Sequence, residues 1–167
     1  MKIKIRPIKK SDNQALSKII KDSFLEFGAP LEGTVFSDPT TENLYDFFNM
    51  QGSICWVGEL NGKIAGCCGI YPTPSLDKDC CELVKFYLSK ESRGFGVGKR
   101  LMYQCEASAI DLGYKKIYIE SLPEFKKAVS IYEKAGYREI PEALGDSGHF
   151  GCSIYMLKDI SYVKKDN

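Results

Sequence analysis

The segment that most constrains the fold runs from Arg93 to Gly98 and reads Arg-Gly-Phe-Gly-Val-Gly. An apolar run, Leu83 to Leu88, precedes it and predicts a strand. After it, apolar residues recur at helical spacing until Gly113: Leu101, Cys105, Ala109 and Leu112. Free N–H groups in a glycine loop and the dipole of the following helix both favour anions. We therefore expect a strand, a phosphate-holding loop and a helix.

The glycine spacing does not fit the two common nucleotide motifs. A dinucleotide fingerprint needs Gly-x-Gly-x-x-Gly, whereas Gly94, Gly96 and Gly98 leave the last interval one residue short. A Walker A loop needs four residues between its glycines and then Lys-Ser/Thr, but Lys99 is followed by Arg100. Glu120 lies near the position of a ribose-binding acid, so a dinucleotide-binding protein stays an alternative. A tight turn without a ligand is another.

The rest of the chain predicts an α/β fold. Alternation over Lys2 to Ile8 indicates a first strand, and a capping box of Ser11 and Gln14 begins a helix that Gly28 ends. Asn61-Gly62 is a strong hairpin turn. Further strands are expected at residues 54–60, 64–71, 116–121, 137–140 and 152–158, and short helices near residues 44–48 and before Gly136. We predict one domain, residues 1–160, with a mixed central sheet of about seven strands flanked by about four helices, and a polar tail, residues 161–167.

Composition narrows the classes of function. The 167 residues suit one domain, and 23 basic against 22 acidic residues leave a net charge of +1, which argues against a nucleic-acid partner. No apolar stretch is long enough for a membrane span. Seven cysteines, an odd number with two adjacent pairs, indicate reduced thiols in a cytoplasmic protein. His149 and Cys152 supply only two of the four ligands of a structural zinc site, so no metal is expected.

The glycine segment resembles the acyl-coenzyme A loop of the GNAT superfamily of N-acetyltransferases, whose pattern is Arg/Gln-x-x-Gly-x-Gly/Ala. The likeness extends to Ile131-Tyr132-Glu133-Lys134-Ala135-Gly136-Tyr137, which is similar to that family's Leu-Tyr-Glu-x-x-Gly-Phe segment. The order of predicted elements also agrees from the first strand to Lys158. The resemblance implies acetyl-CoA as co-substrate, an amine acceptor and a possible homodimer.

The resemblance also implies which residues hold the coenzyme. Main-chain groups of Phe86, Tyr87 and Leu88 would contact the acetyl and pantetheine arm. Backbone amides of the loop would hold the pyrophosphate, and the residues concerned are Gly94, Phe95, Gly96, Val97, Gly98 and Lys99. Arg93 and Lys99 would add positive charge. Phe125 stands where the family often has an asparagine, which removes a polar contact to the pantetheine arm.

Acetyl transfer to an amine needs a base for the amine and an acid for the leaving thiolate. By the same resemblance, Tyr132 is the expected general acid, Glu82 the expected base and Glu120 the alternative base. The Leu88 N–H would stabilise the oxyanion. Each has a purely structural reading: a packing tyrosine, or a solvated glutamate at the end of a strand. An acyl-cysteine route is a further alternative, with His149 as the only histidine that could activate a thiol.

The charges are unevenly distributed. The stretch from Asp22 to Gly62 has seven acidic residues and no lysine or arginine, whereas Lys85 to Arg138 has eleven basic and six acidic residues. The basic part suits the phosphates of coenzyme A, and the acidic part predicts a cationic small-molecule or peptide amine as acceptor. Phe36, Tyr45, Phe47 and Phe48 are candidate cation–π or packing surfaces. A non-catalytic acyl-CoA-binding or regulatory module is the alternative from another functional class. The polar loop at residues 145–149 is a candidate part of the acceptor pocket, and the alternative is a hairpin loop with an exposed histidine.

Overall fold

The computed structural model describes residues 1–162 as one seven-stranded mixed sheet with helices on both faces, in the strand order β1-β2-β3-β4-β5-β7-β6. Its strands are β1 (Ile3–Pro7), β2 (Ile54–Leu60), β3 (Lys63–Tyr71), β4 (Cys80–Leu88), β5 (Lys116–Ser121), β6 (Arg138–Ile140) and β7 (Ile154–Asp159). Its helices are α1 (Asn13–Phe27), α2 (Leu44–Phe47), α3 (Val97–Asp111) and α4 (Lys126–Lys134). The predicted fold class is confirmed. The tail predicted at residues 161–167 lies, from residue 163 on, outside the described residues.

The hairpin between β2 and β3 forms at the predicted turn. Leu60 pairs with Lys63, and Asn61 (φ 51°) and Gly62 (φ 82°) both adopt the left-handed conformation. Asparagine and glycine tolerate this conformation better than other residues, which is why a two-residue loop can connect the strands here. The hairpin prediction is confirmed.

The start of α1 differs from the predicted capping box of Ser11 and Gln14. Asp12 is the N-cap residue, and it is nearly buried. Its carboxylate accepts the Lys9 N–H at 2.7 Å and both terminal guanidinium nitrogens of Arg6 at 2.8 and 2.9 Å. The ion pair therefore replaces the capping box. The predicted helix end at Gly28 is confirmed, with a φ of 62°.

Two apolar cores lie on opposite faces of the sheet. One packs the sheet against α3 and α4, and the other packs it against α1 and α2. Because side chains alternate along a strand, the adjacent Cys67 and Cys68 of β3 belong to different cores. All seven cysteines are free thiols, and six of them are buried. The adjacent cysteine pair is thus a consequence of a strand that is covered on both faces.

Candidate active site

The sheet opens between β4 and β5, its parallel pair. These strands pair only from Cys80↔Lys116 to Glu82↔Tyr118, although β4 continues to Leu88. The pairing of β4 with β3 also shifts register, because Cys67 opposes Tyr87 while Gly69 opposes Val84. This bulge turns the end of β4 away from β5. The gap that opens between the separated strands is called the cleft here: the glycine loop follows the free end of β4, and Glu82 and Glu120 lie where the strands part.

The glycine loop presents backbone N–H groups rather than side chains. Gly94 (φ 84°) and Gly96 (φ 86°) are left-handed, and a Cβ on either would meet no atom within 4 Å. Within the described chain, the N–H groups of residues 94–99 have no hydrogen-bond acceptor. A Cβ at Gly98 would lie 3.1 Å from Leu88 Cδ1, so that glycine brings α3 close to β4. The loop and the first turn of α3 fit the phosphates of a coenzyme.

Arg93 and Lys99, the two predicted charged contacts, are placed differently. Arg93 Nη1 lies 3.0 Å from both carboxylate oxygens of Glu26, and Nε and Nη2 donate to the Leu88 carbonyl at 3.2 and 3.1 Å. Its guanidinium also lies 5.0 Å from the centre of the Phe27 ring. Arg93 thus ties the loop to α1, whereas Lys99 is exposed on the first turn of α3.

Glu82, expected at the start of the strand, is the third residue of β4, and its exposure is 3%. The Thr73 hydroxyl donates a hydrogen bond to Glu82 Oε2. Burial raises the pKa of Glu82 to about 8, with Glu120 adding to the shift and Thr73 and Lys85 opposing it. A carboxyl group with such a pKa exchanges a proton near neutral pH, so the solvated-glutamate reading is wrong.

Glu120 lies on β5, two residues after the last pair with β4. Its Oε1 atom is buried and has no hydrogen-bond partner among the described residues. Burial raises the pKa of Glu120, while nearby Ser147 and His149 lower it. Because a buried acceptor without a partner is costly, this oxygen is available to a donor on a ligand. The structure therefore brings both predicted bases to the same part of the cleft.

Tyr132, on α4, is 6% exposed and packs against Phe86 and Tyr137 at ring-centre distances of 6.1 and 6.0 Å. Burial raises the pKa of Tyr132, which keeps its hydroxyl protonated. No hydrogen bond of this hydroxyl is found within residues 1–162. Tyr132 thus contributes to the core while retaining a proton that it can donate.

Phe125 and Tyr87 form part of an aromatic wall with α1. The Phe125 ring lies 5.3 Å from Phe24, 5.6 Å from Phe27 and 6.0 Å from Tyr87. The residue that replaces the expected asparagine therefore fills an apolar contact between α4 and α1. Packing here substitutes for the polar contact.

A cavity of about 380 Å³ lies beyond the carboxyl groups, between the loop after α1 and the loop before β7. Its walls are residues 32–34, 37–39 and 147–150. His149 is not the exposed loop residue of the hairpin reading: its side chain is 13% exposed, and Nε2 lies 2.7 Å from Asp38 Oδ2. Because Ser147 and His149 in its wall also interact with Glu120, this cavity adjoins Glu120.

The acidic stretch carries far less free charge than its sequence suggests. Five of its seven carboxylates form ion pairs, in the pairs Asp22–Lys18, Glu26–Arg93, Asp38–Lys85, Glu42–Lys21 and Glu59–Arg6. Three of the four candidate aromatic residues are also used internally: Lys21 lies over Phe36, Lys85 lies over Phe47, and Phe48 is in the core, whereas Tyr45 is exposed. Residues that sequence reasoning missed are Thr73, Asp38 and Lys85. Lys85 had a signal, since it is the one charged residue in the apolar run from Leu83 to Leu88.

The thiols are poorly suited to nucleophilic catalysis. Cys152, the least buried, has its pKa raised by burial to about 12, and burial raises the pKa of Cys80 to about 11. A cysteine nucleophile needs a lowered pKa. In residues 1–162, no group of three or more His, Cys, Asp or Glu side chains could hold a metal ion, and no helix could cross a membrane.

Comparisons with known proteins agree with this architecture. Residues 14–137 match the profile of the Acetyltransferase (GNAT) family. N-acetyltransferase YjgM of Escherichia coli K12 is 32% identical over 157 residues, which cover 93% of this chain and 94% of that relative. The crystal structure of a GNAT-family acetyltransferase from Staphylococcus aureus Mu50 aligns with a TM-score of 0.79 at 22% identity, over 95% of this chain and 99% of that one. The structure of the acetyltransferase YncA from Salmonella typhimurium with acetyl-CoA aligns with a TM-score of 0.75 at 18% identity, over 100% of this chain and 99% of that one.

The chain belongs to the acetyltransferase (GNAT) family. It is an acyl-CoA-dependent N-acetyltransferase, and acetyl-CoA is the co-substrate of this family.

Proposed function

We propose that the protein transfers an acetyl group directly from acetyl-CoA to a primary amine on a cationic small molecule or peptide. The observation that carries this proposal is the pair of buried carboxyl groups, Glu82 and Glu120, where β4 and β5 separate. The glycine loop lies on one side of them and the cavity on the other. An amine that reaches the acetyl-CoA thioester from the cavity therefore passes Glu82 and Glu120, either of which can take its proton.

Glu82 is the proposed base. An alkylamine has a pKa of about 10, so it must lose a proton before it attacks a carbonyl carbon. With its pKa near 8, Glu82 is ionised often enough to take that proton, yet basic enough to hold it. Thr73 fixes one carboxylate oxygen and leaves the other for the amine or for a water. Glu120 is the alternative base.

Acetyl-CoA supplies the activated thioester. The N–H groups of residues 94–99 would hold its phosphates, with Lys99 adding charge, and Phe86, Tyr87 and Leu88 would lie along its arm. The Leu88 N–H would stabilise negative charge on the carbonyl oxygen. As the new C–N bond forms and the C–S bond breaks, Tyr132 would donate its proton to the departing sulfur. Arg93 contributes by holding the loop against Glu26 and the Leu88 carbonyl.

A cationic acceptor follows from the charges that remain unpaired. Most of the acidic stretch is neutralised internally, so the attraction comes from Glu32 in the cavity wall and from the two buried carboxyl groups in their ionised form. A positively charged ligand offsets the repulsion between Glu82 and Glu120, whereas an anion would add to it. We therefore expect amines with a second positive charge to be preferred.

A panel of amines assayed by thiol release from acetyl-CoA tests this function. Cationic diamines and basic peptides should turn over faster than neutral or anionic amines of the same size. The Tyr132→Phe variant should bind acetyl-CoA normally and lose most of its turnover. If acetyl-CoA binds but no amine releases thiol, and Tyr132→Phe changes nothing, the protein is a non-catalytic acyl-CoA-binding module instead.

A further inference from the structure

The bulge of β4 carries a buried lysine whose role the reaction does not explain. Lys85 is 3% exposed and adopts a φ of 55°, a conformation that residues with side chains rarely take. Its ammonium lies 3.1 Å from Asp38 Oδ2, 3.0 Å from Thr41 Oγ1 and 5.5 Å from the centre of the Phe47 ring. A buried charge in a left-handed backbone persists only when its surroundings fix it.

Asp38 is the centre of this arrangement. Its Oδ2 atom contacts both Lys85 Nζ and His149 Nε2, while Oδ1 accepts the N–H and the hydroxyl of Thr40. Although burial opposes ionisation, the His149 hydrogen bond and the Lys85 charge hold the pKa of Asp38 well below its usual range. The Asp38 carboxylate therefore contacts Lys85 on β4, 47 positions along the chain from it, and His149, 111 positions from it.

These contacts connect the catalytic strand to both walls of the cavity. Asp38 belongs to the loop after α1 and His149 to the loop before β7, and the Gly151 N–H also donates to the Gly33 carbonyl at 2.7 Å between the same loops. On the strand side, the Cys67 thiol donates to the Lys85 carbonyl. A displacement of either loop must therefore act on the bulge.

We propose that Asp38 and Lys85 are positioning residues for the acetyl transfer: they fix the bulge of β4, and with it Glu82, relative to the two loops that line the acceptor cavity. The inference rests on the proposed function, since it takes Glu82 as the base. It adds that acceptor binding and the geometry of the base are coupled through one buried ion pair.

The coupling has an electrostatic part. The titratable and charged groups around Glu82 are Glu120 and Tyr118 on β5, Lys85, Cys80 and Cys81 on β4, and Cys152 before β7. Of these, Lys85 supplies the positive charge, and it opposes the rise in the pKa of Glu82 that burial and Glu120 cause. Removing that charge should therefore make Glu82 harder to ionise.

The test uses Lys85→Met, Asp38→Asn and the double variant. Lys85→Met should move the acid limb of the kcat/KM profile for the amine to higher pH by about one unit. Asp38→Asn should raise KM for the amine by about tenfold and leave KM for acetyl-CoA within about twofold. The substitution weakens the contact that holds the two cavity loops together, whereas the contacts of the glycine loop are unchanged. The double variant should lose less than the product of the two single losses.

Lys18→Met is the matched control, because it removes a lysine from an ion pair whose side chains are both exposed. It should change neither the limb nor either KM. The inference is overturned if folded Lys85→Met loses activity with an unmoved acid limb, or if the single losses simply multiply. If Asp38→Asn does not fold, Lys85→Met carries the pH test alone, since Asp38 keeps His149 and Thr40 as partners.

Failure of the proposed function would be visible separately. Full activity in Glu82→Gln would refute Glu82 as base. The double-mutant cycle of Asp38→Asn and Lys85→Met, measured on KM for the amine, would still decide whether Asp38 and Lys85 position the loops. Loss of activity in Glu82→Gln with no coupling in the cycle would refute the positioning role alone.

Discussion

The two sides of the cleft between β4 and β5 are built on different principles. The glycine-loop side, residues 94–99, offers open backbone N–H groups and few side chains. The carboxylate side, Glu82, Glu120 and the cavity, depends on burial and on contacts between distant segments. The difference suggests that a shared coenzyme can be held by a local motif, whereas proton transfer requires the whole fold to set the pKa of a group.

The largest effect should follow from removing the proposed general base, Glu82, on the carboxylate side. Glu82→Gln should lower kcat/KM for the amine by about 100-fold or more, because no group would then take the amine proton at the right place. Binding of acetyl-CoA, measured by calorimetry, should stay within about twofold. Glu133→Gln on the exposed face of α4 is the control. If Glu120→Gln causes the larger loss, Glu120 is the base.

The same carboxyl group should make stability depend on pH. The ordinary pKa of Glu82 is 4.5 and its pKa in the folded chain is about 8. Between these values the folded state binds a proton that the unfolded state lacks, so rising pH favours unfolding. Relative to Glu82→Gln, the wild type should lose on the order of 1 kcal/mol of unfolding free energy per pH unit in this window. Urea melts of both proteins at several pH values measure it, and a pH-independent difference would contradict the assigned burial effect.

A smaller effect is expected on the glycine-loop side. Gly96→Ala places a side chain at a φ of 86° and disturbs the free N–H groups, so acetyl-CoA binding should weaken by about tenfold. Gly113→Ala is the matched control, since its φ is 88°, its surroundings are equally open and it lies at the other end of α3. Both should lose about 1 kcal/mol of stability, but only Gly96→Ala should lose affinity. Equal affinities would argue against phosphate binding by the loop.

The smallest effect should separate the two charged residues of that side. Lys99→Met should weaken acetyl-CoA binding by about threefold, and the loss should shrink at high salt because the side chain is exposed. Arg93→Met should mainly lower the melting temperature, since Arg93 holds Glu26 and the Leu88 carbonyl. Titrations at two salt concentrations compare them. A larger affinity loss in Arg93→Met would show that its ion pair opens for the coenzyme.

The features that could be predicted from the sequence are the local ones, as on the glycine-loop side, and not those that join distant segments, as on the carboxylate side. The Asn61-Gly62 hairpin, the end of α1 at Gly28 and the glycine loop were predictable, because each depends on backbone conformations that one or two residues decide. The left-handed Lys85 was not, since lysine has no preference for that conformation. The buried start of β4 at Cys80 was missed because Glu82 interrupts its apolar pattern. The contacts of Asp38 and Arg93 join residues far apart in the chain, and they could not be predicted from the spacing of residues in the sequence.

The free thiols give the protein a built-in position for a reporter group. Six of the seven cysteines are buried, and Cys152 alone is partly accessible. Its N–H donates to the His149 carbonyl, so it lies at the end of the cavity-lining loop. Because the raised pKa of Cys152 keeps the thiol protonated at neutral pH, labelling should be slow, yet faster than at the six buried sites. A single fluorophore can thus be placed beside the cavity without first replacing the other cysteines.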